Sequence, residues 1–163
     1  MILHAGLIAR RLAGRWRGIL IEGPSGAGKS DLALRALEAG FRLVSDDRTV
    51  VWSSGGALYG RAPPALAGLI EARGHGVTAE PSIGMAQIVL VAACETDPAA
   101  IERLPDVEQM TISGVSVRRV HVNAFEDSAP AKLRRAMEHL GAATQQAYQA
   151  CPLGGSRPRR DRG

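Results

Sequence analysis

The chain has 163 residues and a mass of 17.2 kDa, with 45% hydrophobic and 22% charged residues, a balance that excludes a disordered chain and fits one globular domain. No apolar run reaches the ~18 residues of a transmembrane helix, residues 1–17 lack the pattern of a secretory signal, and Cys94 and Cys151 make neither a disulfide framework nor a zinc site. A cytoplasmic protein without membrane contact is expected. The net charge is +4, but residues 156–163 hold four Arg and one Asp, so the rest carries only +1 and argues against a nucleic-acid partner.

Strands are predicted at 2–9 and 17–22, the second containing the short apolar run Gly18-Ile19-Leu20-Ile21 of a buried central strand. The basic stretch between them, 10–17, is expected as an exposed turn. A helix is predicted over 29–39, with Leu32, Leu34, Ala36 and Leu37 as its apolar faces and Gly40 as its stop. A strand at 41–45 ends in Asp46-Asp47. Strands at 49–52 and 57–61 flank Ser53-Ser54-Gly55-Gly56, a hairpin turn. Pro63-Pro64 opens a short predicted helix reaching residue 72, and the Gly-rich stretch 73–84 reads as loop. A buried strand comes next at 88–93, then a short helix at 98–103 capped by Thr96-Asp97-Pro98. A hairpin is expected from 107–112 and 115–122 about Ser113-Gly114. Ser128 is the expected cap of a helix running to residue 140, with Pro130 in its first turn.

The segment Gly23-Pro24-Ser25-Gly26-Ala27-Gly28-Lys29-Ser30 fits G-x-x-x-x-G-K-S without a mismatch, entered by a predicted strand and left by a predicted helix. Glycines let successive backbone N–H groups turn inward around phosphate oxygens, and the helix start adds unpaired N–H groups and its dipole. Lys29 is positioned to neutralise β- and γ-phosphates, and the Ser30 hydroxyl to bind Mg2+. Lysine is rare in this chain: Lys29 and Lys132 stand among 20 basic residues. The motif specifies a phosphate ligand but not a reaction, and the fold class expected is α/β, a single P-loop domain over 1–155 with a mixed β-sheet and flanking helices, followed by a disordered basic tail at 156–163.

Phosphoryl transfer to a hydroxyl also needs metal ligands and a base. Asp46-Asp47 ends the strand after the P-loop helix, and parallel neighbours of that sort would place the pair on the phosphate edge of the sheet. Glu95 closes the apolar run 88–94 as a Walker B acid does, and spacing alone does not choose between these sites. Glu71 and Arg73, before Gly74-His75-Gly76, read equally as a surface pair or as groups brought to the phosphates. His121 and His139 have no partner at metal-ligand spacing.

The chain resembles the HPr serine kinase/phosphorylase family, in the short alphaproteobacterial form that lacks the N-terminal domain. The residues that carry the resemblance are His4, the loop 23–30, Arg42-Leu43-Val44-Ser45-Asp46-Asp47, and Leu69-Ile70-Glu71-Ala72-Arg73-Gly74-His75-Gly76, which is similar to the family's L-E-x-R-G-x-G signature. Ala124-Phe125-Glu126-Asp127-Ser128-Ala129-Pro130-Ala131-Lys132 resembles the ending of the short members. The resemblance implies that Asp47 takes the seryl proton, that Lys29 holds the transferred group, and that Ser30 and Glu71 bind Mg2+ with Asp46 in support. His4 would line the site, and Arg103 would match the family's catalytic arginine. It further implies a small HPr-like phosphocarrier protein as partner, ATP as donor, and a homo-oligomer, commonly a hexamer. Val117-Arg118-Arg119-Val120-His121-Val122-Asn123 replaces the segment that serves phosphorolysis in long members, so the kinase direction is implied first. Two alternatives stand beside it: a small-metabolite or nucleotide kinase, which usually carries an Arg-bearing lid and a helical insert that this chain lacks, and a non-catalytic nucleotide-sensing module, which has no need of paired aspartates.

Overall fold

Two apolar strands organise the sheet. In the computed structural model, which describes residues 1–140, β3 (Arg15–Glu22) and β9 (Ala86–Cys94) pair in parallel, and β9 pairs in parallel with β11 (Val115–Val122). Ile19, Leu20 and Ile21 are fully buried, as their uninterrupted apolar run requires of a strand covered on both faces. The carboxyl ends of these three strands share one edge, the edge at which open α/β sheets bind ligands.

β1 (Ile2–Leu3) and β2 (Gly6–Leu12) open the chain, and β2 pairs antiparallel with β3 about a turn at Ala13 and Gly14, both at positive φ. The stretch 10–17 is thus strand except at its tip, which corrects the expected exposed turn. Two of its four arginines lie beside aromatic partners, Arg10 5.7 Å from the Phe41 ring centroid and Arg11 6.0 Å from that of Trp16. α1 (Lys29–Glu38) leads to β4 (Arg42–Ser45), which pairs antiparallel with β2. β4 therefore runs parallel to β3 but is not its neighbour, because β2 lies between them. The direction still brings Asp46 to the phosphate edge.

β5 (Thr49–Ser54) and β6 (Ala57–Arg61) form the expected hairpin about Gly55 and Gly56, and β6 joins β9. The path across the nine-stranded sheet is β1-β5-β6-β9-β3-β2-β4, with β11 attached to β9 and β10 (Glu108–Ile112) attached to β11. Residues 2–12 thus serve an edge of the sheet through β1 and the far side through β2. The sheet curls so far that the buried Leu7 reaches Gly60, where an added Cβ would lie 2.6 Å from Leu7 Cδ2, 3.0 Å from Ile88 Cδ1 and 3.1 Å from Thr49 Cγ2. The Thr49 hydroxyl secures the closure by donating to the Ala5 carbonyl at 2.8 Å. Gly60→Ala is expected to destabilise the fold by about 1–3 kcal/mol, because Leu7 also covers Gly18 and has no free space to enter. Urea denaturation of the variant checks this.

One apolar cluster, including Leu7, Val51, Leu58, Ile88 and Val117, fills one side of the curl. The other packs beneath α1 and α2 (Ala129–Glu138), which bury Leu32, Ala33 and Ala36 and, on α2, Leu133 and Met137. Ser128 is already in helical conformation and its side chain caps nothing, contrary to expectation, whereas Pro130 does occupy the first turn.

The predicted helix to residue 72 and the loop 73–84 are corrected. A single 3-10 turn (Pro64–Leu66) precedes β7 (Leu69–Ala72), which pairs with β8 (Gly76–Ala79) in a separate two-stranded sheet. Ile70 is buried while Glu71 is exposed, a two-residue alternation that the Pro and Gly punctuation obscured. The helix expected at 98–103 is one 3-10 turn (Pro98–Ala100), with the Asp97 carboxylate accepting from the Ala99 amide at 3.0 Å. The β10–β11 hairpin forms as expected about Ser113 and Gly114. No helix among the described residues is long and apolar enough to cross a membrane. The expected domain end at 155, the tail 156–163 and Cys151 lie outside the described residues.

Candidate active site

The phosphate loop leaves β3 and enters α1, as its sequence predicts. Gly23 (φ 148°), Gly26 (φ 80°) and Gly28 (φ 88°) take positive φ, a conformation that side chains resist. At Gly23 space is also short, since a Cβ would stand 2.9 Å from the Cys94 carbonyl oxygen. Lys29 is 9% exposed, and its Nζ donates to the carbonyls of Gly23 at 2.9 Å and Pro24 at 3.1 Å. The ammonium is therefore folded back over the loop that it would serve.

Asp46 and Asp47 diverge. Asp46 is 8% exposed and points inward, where its Oδ1 accepts from the Ser30 hydroxyl at 2.8 Å and its Oδ2 from the Glu71 amide at 2.9 Å. Asp47 has φ 64°, a left-handed conformation that Asp tolerates better than most residues. That twist directs its half-exposed carboxylate outward, where Oδ1 meets His4 Nε2 at 2.6 Å. The turn is fixed by the Arg48 amide donating to the Asp46 carbonyl at 2.7 Å and by the Ser45 hydroxyl donating to the Arg48 carbonyl. His4 lies between β1 and β2, so the closure of the sheet is what carries it to Asp47.

Ser30, Asp46, Asp47, His4 and the Glu71 backbone thus come together, although Glu71 joins through its amide and its side chain is exposed. Glu95 is engaged elsewhere. Its Oε1 meets His121 Nδ1 at 2.5 Å, His121 Nε2 meets Glu108 Oε2 at 2.6 Å, and Arg119 bonds both Glu108 and Glu22 at 2.9 Å. His121, which has no partner at metal-ligand spacing in sequence, is held by carboxylates on both ring nitrogens. Arg103 is exposed and lines, with Glu95, His121 and Arg135, a groove of about 920 Å3. The Cys94 thiol, at the end of β9, is free and pushed up to about 11 by burial.

The hydrogen bonds from Glu108 and then Glu95 raise the pKa of His121, and His121 in turn lowers that of Glu108. A raised histidine stabilises the fold fully below its ordinary value near 6.5, and that contribution is lost as pH climbs through the folded value. The thermal midpoint of the wild type is therefore expected to exceed that of His121→Gln most at mildly acidic pH, with the gap closing as pH rises above neutral. Thermal denaturation of both proteins across that range checks this. A gap that widens with pH would show the opposite linkage.

A family model described as HPr Serine kinase C-terminal domain matches residues 15–150. The HPr kinase/phosphorylase of Clostridium beijerinckii is 37% identical over 115 residues, covering 64% of this chain and 38% of that protein. The HPr kinase/phosphorylase of Lacticaseibacillus casei is 46% identical over 61 residues, covering 37% of this chain and 19% of that protein. The chain thus spans well under half the length of these curated relatives. The structure of the Hpr(Ser) kinase/phosphatase from Coxiella burnetii superposes with a TM-score of 0.72 at 21% identity, over 85% of this chain and 94% of that one, a likeness of fold. The phosphate loop and the aspartate turn lie inside the matched span, His4 lies ahead of it, and the chain belongs to the HPr serine kinase C-terminal domain family.

Proposed function

We propose that this chain is a protein-serine kinase that uses ATP and Mg2+ to phosphorylate a small HPr-like phosphocarrier protein in the cytoplasm. The observation that carries the reading is the divergence of the two aspartates at the phosphate loop, one held to Ser30 and the other turned outward to His4. The first supplies oxygen for a metal, and the second is open to an incoming hydroxyl.

The residues fit a magnesium nucleotide. Three glycines at positive φ leave the loop backbone free to surround phosphates, Lys29 brings a cation to it, and a hydroxyl beside a carboxylate is a hard-oxygen pair of the kind Mg2+ shares with phosphates. Ser30 and Asp46 would hold the metal, and Glu71, whose amide donates to Asp46, is the residue that would add a further carboxylate. When bound, Mg2+ and ATP supply the phosphoryl group and neutralise its charge.

Asp47 accepts the proton of the seryl hydroxyl on its carboxylate and leaves the oxygen free to take the phosphoryl group. His4 orients that carboxylate through Oδ1. Lys29 stabilises charge on the transferred group. Reversal, with inorganic phosphate as acceptor, would use Asp47 as the acid that returns the proton. Arg103 is assigned no contact with the reacting groups in this reading.

The test is single-turnover transfer from γ-labelled ATP to purified phosphocarrier protein. A labelled seryl product formed at the rate at which ATP is consumed supports the reading. Tight nucleotide binding with no transfer would replace it with the sensing module, and rapid ADP release on sugars or nucleoside monophosphates would replace it with a metabolite kinase.

A further inference from the structure

Phe125 is 62% exposed. A single exposed aromatic ring is ordinary on a protein surface. This one is held in place. It lies in the turn Asn123-Ala124-Phe125-Glu126 that leaves β11, where the Phe125 amide donates to Asn123 Oδ1 at 3.1 Å and the Glu126 amide to the Asn123 carbonyl at 3.2 Å. Arg35 of α1 clamps the same turn, donating to the carbonyl of Ala124 and, at 3.0 Å, to that of Glu126. The helix that starts on the phosphate loop therefore grips the turn that carries the ring.

The ring rests on the loop itself. Its Cε1 and Cζ lie 3.0 Å from the position a Cβ would take on Gly28, and the Ala124 methyl lies 3.1 Å from it. Gly28 is thus glycine for its φ of 88° and also because Phe125 and Ala124 fill the space a side chain would need.

Topology gives the ring a direction. On one side of β3, β2 and β4 deliver His4, Asp46 and Asp47. On the other side, β9 and β11 deliver Phe125. With phosphates in residues 23–30 and the acceptor approaching past Asp47, the nucleoside end of the nucleotide leaves the loop on the β11 side. There it meets an open aromatic face already fixed in position. Base–aromatic stacking needs only such a face and tolerates any base.

We propose that Phe125 is the platform on which the nucleobase of the bound triphosphate stacks, an inference that rests on the nucleotide site proposed above. The test is calorimetric titration of the wild type, Phe125→Ala and Phe125→Trp with Mg2+-ATP and, separately, with inorganic tripolyphosphate, which has no base. Phe125→Ala is expected to bind ATP about tenfold more weakly, the loss of one stack, and to bind tripolyphosphate as the wild type does. Phe125→Trp is expected to keep ATP affinity and to show emission quenched by ATP but not by tripolyphosphate. Unchanged ATP affinity in Phe125→Ala overturns the proposal. So does an equal loss for both ligands, which would make the ring a prop for Gly28. A wild type that binds neither ligand overturns the nucleotide reading itself, and this inference with it.

Discussion

Asp47→Asn is expected to lower single-turnover phosphoryl transfer by about 10²–10⁴-fold, the range for loss of a positioned general base, while leaving ATP affinity close to that of the wild type. The substitution is well suited to the site. Asn tolerates the left-handed conformation at φ 64° as Asp does, and an amide oxygen can still accept from His4 in place of Oδ1. Asp46, which holds Ser30 and the Glu71 amide, is untouched. What disappears is the ability to take a proton. Nucleotide titration and rapid-quench transfer on the same preparation separate binding from chemistry. Wild-type transfer by Asp47→Asn would remove the proton-acceptor role from this residue.

Lys29→Met is expected to cut transfer by about 10²–10³-fold, as for removal of one preorganised donor to a transition-state charge, and to weaken ATP binding as well. Methionine keeps much of the apolar stem and discards the charge. Two effects combine. The loop loses the bonds from Nζ to the carbonyls of Gly23 and Pro24 that hold it closed, and the phosphates lose a cation delivered from a nearly buried side chain. The signature that distinguishes this variant from Asp47→Asn is loss of affinity together with rate, read from the same paired titration and quench experiment. A variant that bound and transferred like the wild type would show that the ammonium serves only the loop.

The parts of the site that were legible in sequence are those written in consecutive residues. The eight residues of the phosphate loop specify their own backbone, and the structure places them between a strand and a helix as the motif demands. The hairpins at Gly55-Gly56 and Ser113-Gly114 were legible for the same reason, since turn chemistry is local. Asp46-Asp47 could be seen as a pair, and the structure adds the reason for the division between them, a positive φ at the second residue. The pairing of His4 with Asp47 could not be derived, because it spans 43 residues and depends on how far the sheet curls. The chain from Glu95 through His121 to Glu108 joins the residue after β9 to positions on β11 and β10 by register and leaves no spacing signal. The β7–β8 hairpin was hidden by its flanking Pro-Pro and glycines, which announce a break in regular structure but do not specify the element beyond it. Arginines at 10, 11, 15 and 17 suggested solvent, whereas two of them lie over aromatic rings.

The first dozen residues are counted twice in this architecture. They zip the rim strand to its partner through Ile2↔Val50 and Leu3↔Thr49, then cross to the opposite flank as Gly6↔Ile21 and Leu7↔Ser45, and His4 stands at the crossing. The segment that closes the sheet therefore also carries the residue paired with Asp47. A lesion that loosens this seam, even one far from the phosphates, would silence proton transfer before it disturbed nucleotide capture, so turnover is a more sensitive gauge of the seam than ligand affinity.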